Sequence, residues 1–254
     1  MRQCIRGMRP ATLLGVALVA VMVVGPEAGA QGGGKGFLFG APNWSLTLFG
    51  GLAVPSASSD VFQQATKNLT LSRGDFNAPA LGAELQFPVT PQFELSVGVS
   101  YATSNKKSEF RDWVDNNNRP IEQFTGLQRV PVTASVKYYL SAPGRSVGRL
   151  AWIPAKFAPF IGVGGGTMWY RYTQNGDFID FATKNVFSDT FKSTGWAGSA
   201  HLLAGFDYSL SPRYALTTEA RYTRASNDMG SDFSGFNRID LSGVATTVGV
   251  RIRF

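Results

Sequence analysis

The chain has 254 residues, with 24 basic and 17 acidic side chains for a formal charge of +7, and 44% of its residues are apolar. That is enough apolar material for a folded core, and it excludes a disordered composition. One cysteine, Cys4, and one histidine, His201, exclude a disulfide scaffold and a zinc site built from four Cys and His ligands.

The first thirty residues read as an address. Arg2, Arg6 and Arg9 give a basic start, an apolar stretch runs from Ala11 to about Val24, and Pro26 breaks it. Ala28-Gly29-Ala30 then supplies an A-x-A signature, so cleavage by a secretion signal peptidase is expected after Ala30, read from Ala28 and Ala30. A membrane anchor is the competing reading, but the apolar run falls short of the ~20 residues a spanning helix needs. Removing residues 1–30 leaves 224 residues at a net +5 and without cysteine. The remaining basic residues are dispersed and the chain is expected to be exported, so no nucleic-acid partner is expected.

Residues 31–43 look like a flexible lead-in. Beyond them the chain repeats stretches of about ten residues that alternate apolar with polar or small, the signature of strands with two different faces. In chain order they are Trp44 to Ala53, Leu81 to Phe87, Phe93 to Tyr101, Arg129 to Leu140, Phe160 to Tyr172, Ser199 to Leu210, Tyr214 to Thr223 and Gly243 to Phe254. The fifth holds Gly164-Gly165-Gly166, where a bulge or bend is expected. Nine charges fall in the six cleanest strands: Glu84, Glu94, Asp207, Glu219, Arg129, Lys137, Arg221, Arg251 and Arg253. All lie on the face opposite the apolar one.

Two architectures use such strands. A soluble sandwich turns the apolar face inward; a membrane barrel turns it toward lipid. Three features favour the barrel. Strands of about ten residues suit a tilted membrane crossing, whereas soluble strands have a mode of ~5–6. Tight connections at Pro88 to Gln92 and Ser211 to Arg213 alternate with long ones at roughly 54–77, 104–127, 173–195 and 224–238. The connection at 141–156 is the exception, long on the short-turn side. Aromatics gather at strand ends, among them Trp44, Phe93, Tyr101, Tyr170, Tyr172, Tyr208 and Tyr222, as interfacial girdles require. The expected fold class is all-β, an eight-stranded antiparallel up-and-down transmembrane barrel over residues 44–254.

The chain closes on Val248-Gly-Val250-Arg-Ile252-Arg-Phe254. A Phe preceded by apolar residues at every second position resembles the assembly signal of outer-membrane barrels. Val130 to Leu140, Ala158 to Gly166 and Leu216 to Tyr222 resemble the small eight-stranded family that includes OmpA-type transmembrane domains and OmpX. The resemblance implies an outer-membrane location, outer-membrane lipids as surroundings, and the barrel-assembly machinery as a partner in biogenesis that reads Val248, Val250, Ile252 and Phe254. It specifies fold far better than function.

An eight-stranded barrel has a lumen that side chains fill. Glu84, Glu94, Lys137, Glu219, Arg221 and Arg251 are expected to fill it as a paired network, either as a static plug or as the lining of a narrow path for ions or small hydrophobic molecules. His201 falls on the lumen face and matches neither a lipid-facing deacylase arrangement nor a barrel protease, so no catalytic residue is expected and a lipid-modifying enzyme ranks third. Gly162-Val-Gly164-Gly-Gly166 opens no helix and no Lys-Ser/Thr follows, so it is no phosphate loop. No cofactor and no metal are expected. Among the long connections, Phe178, Phe181, Phe187 and Phe191 form a candidate contact surface. Arg145, Arg149 and Lys156, beside Trp152, suit anionic headgroups on the short-turn side. The function expected is structural or interactive: envelope integrity, adhesion or recognition through external loops.

Overall fold

The computed structural model describes residues 36–254 except 116, 149, 181, 182 and 184. Ala28, Ala30, Arg149 and Phe181 lie outside the described residues. In chain order the elements are β1 (Ser45–Pro55), α1 (Asp60–Asn68), a 3-10 turn (Arg73–Phe76), β2 (Ala78–Pro88), β3 (Phe93–Val114), β4 (Pro120–Tyr139), β5 (Gly144–Val147), β6 (Ala151–Pro154), β7 (Phe157–Ile179), β8 (Val186–Ser209), β9 (Tyr214–Asn227), a 3-10 turn (Ser231–Phe233), β10 (Ile239–Asp240) and β11 (Gly243–Arg253).

Eight of these strands form one antiparallel ring in the order β1-β2-β3-β4-β7-β8-β9-β11, closed by pairing of β11 with β1. Closure leaves the ring no unpaired edge within its common height. Its geometry follows from the register. Stepping from Ser45 across neighbouring strands passes Gln86, Ser96, Ser135, Gly164, His201, Thr223 and Gly243, and returns to β1 at Pro55, ten residues from the start. An offset of ten residues at ~3.3 Å against eight inter-strand spacings of ~4.8 Å tilts the strands by about 40°. The offset is even, so inward residues meet inward residues when the ring closes.

The central alternation is as expected, and all nine charges turn inward. The strand lengths are not. β3, β4, β7 and β8 run 20 to 24 residues each. The expected long connections at 104–127 and 173–195 are therefore mostly paired strand that continues beyond the apolar zone as two hairpins. Above Thr103 both faces of β3 become polar, through Ser104, Asn105, Lys106 and Lys107, so the two-residue apolar period stops while backbone pairing goes on.

The three glycines of β7 make no bulge. The register runs unbroken through Gly164, Gly165 and Gly166 on both sides. Their cause is close approach: a Cβ on Gly166 would lie 2.1 Å from the Val132 carbonyl oxygen.

The long turn-side connection is a small hairpin, β5 paired with β6. Trp152 of β6 and Leu38 exchange two backbone hydrogen bonds of 2.9 Å, so part of the expected lead-in is fixed to it.

The closing seam is the place to test the topology. A Cβ on Gly51 would lie 1.9 Å from the Thr246 carbonyl oxygen, whereas one on Gly198 meets nothing within 4 Å. Gly51→Val is expected to abolish the heat-shifted, SDS-resistant band of the folded barrel, and Gly198→Ala to retain it, on unheated and boiled gels.

Candidate functional site

The outer wall carries the apolar residues. On β3, Leu95, Val97 and Val99 are about half exposed, while Glu94 and Ser96 between them are buried at 3% and 2%. Leu81 and Leu85 on β2, Val132 and Val136 on β4, Ile161 and Val163 on β7, Leu202 on β8, and Val248 and Val250 on β11 continue the belt around the ring. From Phe93 to Tyr101 the belt spans nine residues. At ~3.4 Å per residue and ~40° tilt that is about 21 Å of height, close to the ~25 Å apolar band of a membrane barrel. Soluble monomers rarely expose a continuous apolar surface of this extent.

Aromatic rings rim the belt. At the turn end Trp44 stacks on Phe254 at 4.1 Å and 10°, and Phe93 lies 5.0 Å from Tyr138. At the loop end Tyr101, Trp196 and Tyr222 are exposed. Tyr170 and Tyr172, expected in a girdle, instead point inward and are fully buried. Each is one residue out of phase with the outward Trp169 and Arg171.

Inside, two charge clusters fill the lower lumen. Lys137 Nζ lies 2.5 Å from Glu84 and 3.0 Å from Glu219, and Arg221 reaches the same two carboxylates at 3.0 and 2.7 Å. Two acids and two bases from β2, β4 and β9 thus close a neutral ring. Below it Arg251 pairs with Glu94 and with Asp207 at 2.7 Å, and Asp207 also accepts bonds from Tyr139 and Thr217. All six expected network residues take part. Asp207 and Tyr139 complete the second cluster; their phase on the lumen face was legible, but their partners are set by cross-barrel distance. At the turn end, the Arg253 guanidinium sits 5.3 Å over the Trp152 ring, so the β5–β6 hairpin folds against that mouth.

His201 Nε2 lies 2.7 Å from the Ser135 hydroxyl, and both residues are buried. The other ring nitrogen has no hydrogen-bond partner among the described residues.

The loop end is closed by an apolar core. Val61, Phe62 and Ala65 of α1 share one face, as their helical spacing dictates, and pack with Leu69, Leu71, Phe76, Tyr170, Tyr172, Phe233 and Leu241. Polar bonds clasp this cap. The Asp60 carboxylate accepts from Asn237 at 2.8 and 2.9 Å, and Arg111 Nε donates to the Leu69 carbonyl at 2.7 Å. Burial alone would raise the Asp240 carboxyl, but hydrogen bonds from Ser58 and Ser242 outweigh it and hold it below its ordinary value. The backbone N–H and hydroxyl of Ser72 likewise lower Asp75.

Of the expected contact phenylalanines, Phe178, Phe187 and Phe191 lie on the long β7–β8 hairpin rather than on a loop. Phe178 packs edge-on to Phe191 at 4.7 Å and lies 5.9 Å from Phe187, which remains exposed. In the closing motif, Val248, Val250 and Phe254 face outward, and Ile252 is half-buried on the same face.

No protein-family model matches the sequence, and no curated protein does. Similar solved structures include a Neisserial surface protein, NspA, at 12% identity and a TM-score of 0.46, covering 85% of this chain and 99% of that one. The attachment invasion locus protein Ail of Yersinia pestis aligns at 12% identity and 0.41, covering 87% of this chain and 100% of that one. The N-terminal β-barrel domain of Pseudomonas aeruginosa OprF aligns at 13% and 0.34, covering 84% and 99% respectively. The fold assigned above rests on this chain's own strand pairing and wall polarity.

Removing one member of the neutral ring leaves a buried charge without its partner. Lys137→Met is expected to destabilise the barrel by ~3–5 kcal/mol, whereas Arg238→Gln, which breaks an exposed pair with Asp228, should cost at most ~1 kcal/mol. Reversible urea unfolding in detergent or lipid, followed by tryptophan fluorescence, measures both.

Proposed function

We propose that this closed eight-stranded barrel is an integral outer-membrane protein whose work is structural and surface-interactive rather than catalytic or conductive. The observation that carries the reading is the inversion of the wall: valine and leucine face out, and a charge-paired network faces in. In water that arrangement exposes the belt; in a bilayer it satisfies both faces.

The filled lumen supports a structural role. From one end to the other the interior passes Trp152 against Arg253, the Arg251 cluster, the Lys137 ring and the α1 cap. The His201–Ser135 pair sits among these groups rather than at the lipid face or an outer surface, which fits an interior packing role.

The exported chain would meet a signal peptidase and the barrel-assembly machinery during biogenesis, with Val248, Val250, Ile252 and Phe254 as the recognised strand. In the membrane its neighbours would be outer-membrane lipids. Trp44, Tyr208 and Phe254 would sit at one interface and Tyr101, Trp196 and Tyr222 at the other. Beyond the membrane the two long hairpins and the α1 cap form a platform for contact with the sugar-lipid layer or another surface, with Phe187 and Trp113 among its exposed apolar residues.

Planar-bilayer recording tests the reading against a conduit. The purified protein is expected to give no conductance steps above leak. Reproducible steps that change in Glu219→Gln or Arg221→Gln would overturn the structural reading and make the lumen a path. Val97→Arg, at mid-belt, should cost ~2–4 kcal/mol in lipid.

A further inference from the structure

Below the α1 cap the lumen holds a cavity of about 90 Å³ that reaches down beside the Lys137 ring as far as Gln86 and Thr217. It exists because one wall is built of small side chains. Ala53 on β1, Ala80 on β2, Ala102 on β3 and Ala245 on β11 face inward where larger residues would meet across the barrel. Arg129 on β4 is the cross-strand neighbour of Ala102, and Met168 on β7 and Leu241 complete the lining.

Arg129 is the anomaly in this chamber. Its side chain is buried at 7% exposure, and its Nη2 has no hydrogen-bond partner among the described residues. The other charges of the central lumen are matched by opposite ones, Lys137 and Arg221 by Glu84 and Glu219, and Arg251 by Glu94 and Asp207. Arg253, at the far end, donates to Ser209 and to the Pro212 carbonyl. No described carboxylate lies within ion-pair distance of Arg129. Asp240, whose charge reaches it, is bound to the Ser58 hydroxyl at 2.5 Å and to the Ser242 N–H at 3.0 Å. An isolated buried guanidinium is costly unless an anion pairs with it.

We propose that this chamber is a binding site for a short-chain monocarboxylate. The carboxylate pairs with the Arg129 guanidinium, whose planar fork matches two oxygens. The aliphatic tail lies along Ala53, Ala80, Ala102 and Met168. A tail of more than a few carbons exceeds the volume, and a dicarboxylate would bury a second charge against a ring whose acids and bases already pair with one another. A halide would satisfy the guanidinium but leave the alanine wall unfilled.

The test is isothermal titration of the detergent-purified protein with butyrate, and with chloride and butanol as controls, at fixed pH and ionic strength. Butyrate is also supplied during refolding so that the cap does not limit entry. Saturable one-to-one butyrate binding is expected, weakened at least tenfold in Arg129→Gln, with nuclear Overhauser contacts from the butyrate methyl to the Met168 methyl. Should Arg129→Gln fail to show the heat-shifted band, Ala102→Leu keeps the guanidinium and fills the chamber, and it is expected to lose binding equally. The proposal is overturned if butyrate does not bind, if the variants bind it as the parent does, or if chloride or butanol binds as tightly. No binding by any probe would mean that the chamber holds water alone.

Discussion

Lys137 lies between Glu84 and Glu219 in the middle of the lumen, and Arg221 closes the ring from the other side. The rest of the barrel depends on that neutral ring. With valine and leucine turned outward, the hydrophobic effect cannot hold the interior together; the outer face gains its stability from lipid. The interior must satisfy itself through ion pairs and hydrogen bonds contributed by β2, β4 and β9, strands far apart in sequence. Such a network tolerates no half-filled version, because each unmatched member is a buried charge. The even ten-residue offset of the closed sheet brings these phases together, since it keeps every second residue inside on all eight strands.

The two ends of the lumen are sealed by different physics. At the turn end Arg253 spreads over Trp152, presented by a small hairpin that Leu38 extends by one backbone bridge. At the loop end the polar filling gives way to an ordinary apolar core, in which tyrosines 170 and 172 meet the buried face of α1. Polar bonds between Asp60 and Asn237, and between Arg111 and the Leu69 carbonyl, hold that cap to the strands. Arg129 stands at the boundary between the two regimes, above the paired charges and below the apolar core.

Much of the fold was legible because a strand in a wall between two media must alternate. Leu95, Val97 and Val99 against Glu94 and Ser96 set the phase of β3, and the same reading placed all nine charges inside. The pattern fell silent where the buried face turns polar: in the upper halves of β3 and β4 the inward residues include Ser104, Ser108, Gln123 and Thr125, so paired hairpins read as loops. Val61, Phe62 and Ala65 did carry a helical spacing, but it is too short to stand out within a stretch read as a connection. Tyr170 and Tyr172 looked like girdle residues because aromatics at strand ends usually are; their inward phase is fixed by Ala158 and Phe160 earlier in the same strand. The partners of Asp207 and the isolation of Arg129 depend on distances across the barrel, which no local pattern encodes.

If the barrel sits in a bilayer as described, the alternation on β3 separates hydrocarbon from the lumen. Single nitroxide labels at residues 94 to 99, with collision rates measured for oxygen and for a polar relaxer in lipid bilayers, test it most directly. High oxygen accessibility and low polar-relaxer accessibility are expected at 95, 97 and 99, and low accessibility to both agents with restricted motion at 94, 96 and 98. Equal accessibility of both sets to the polar relaxer, or the opposite phase, would contradict it.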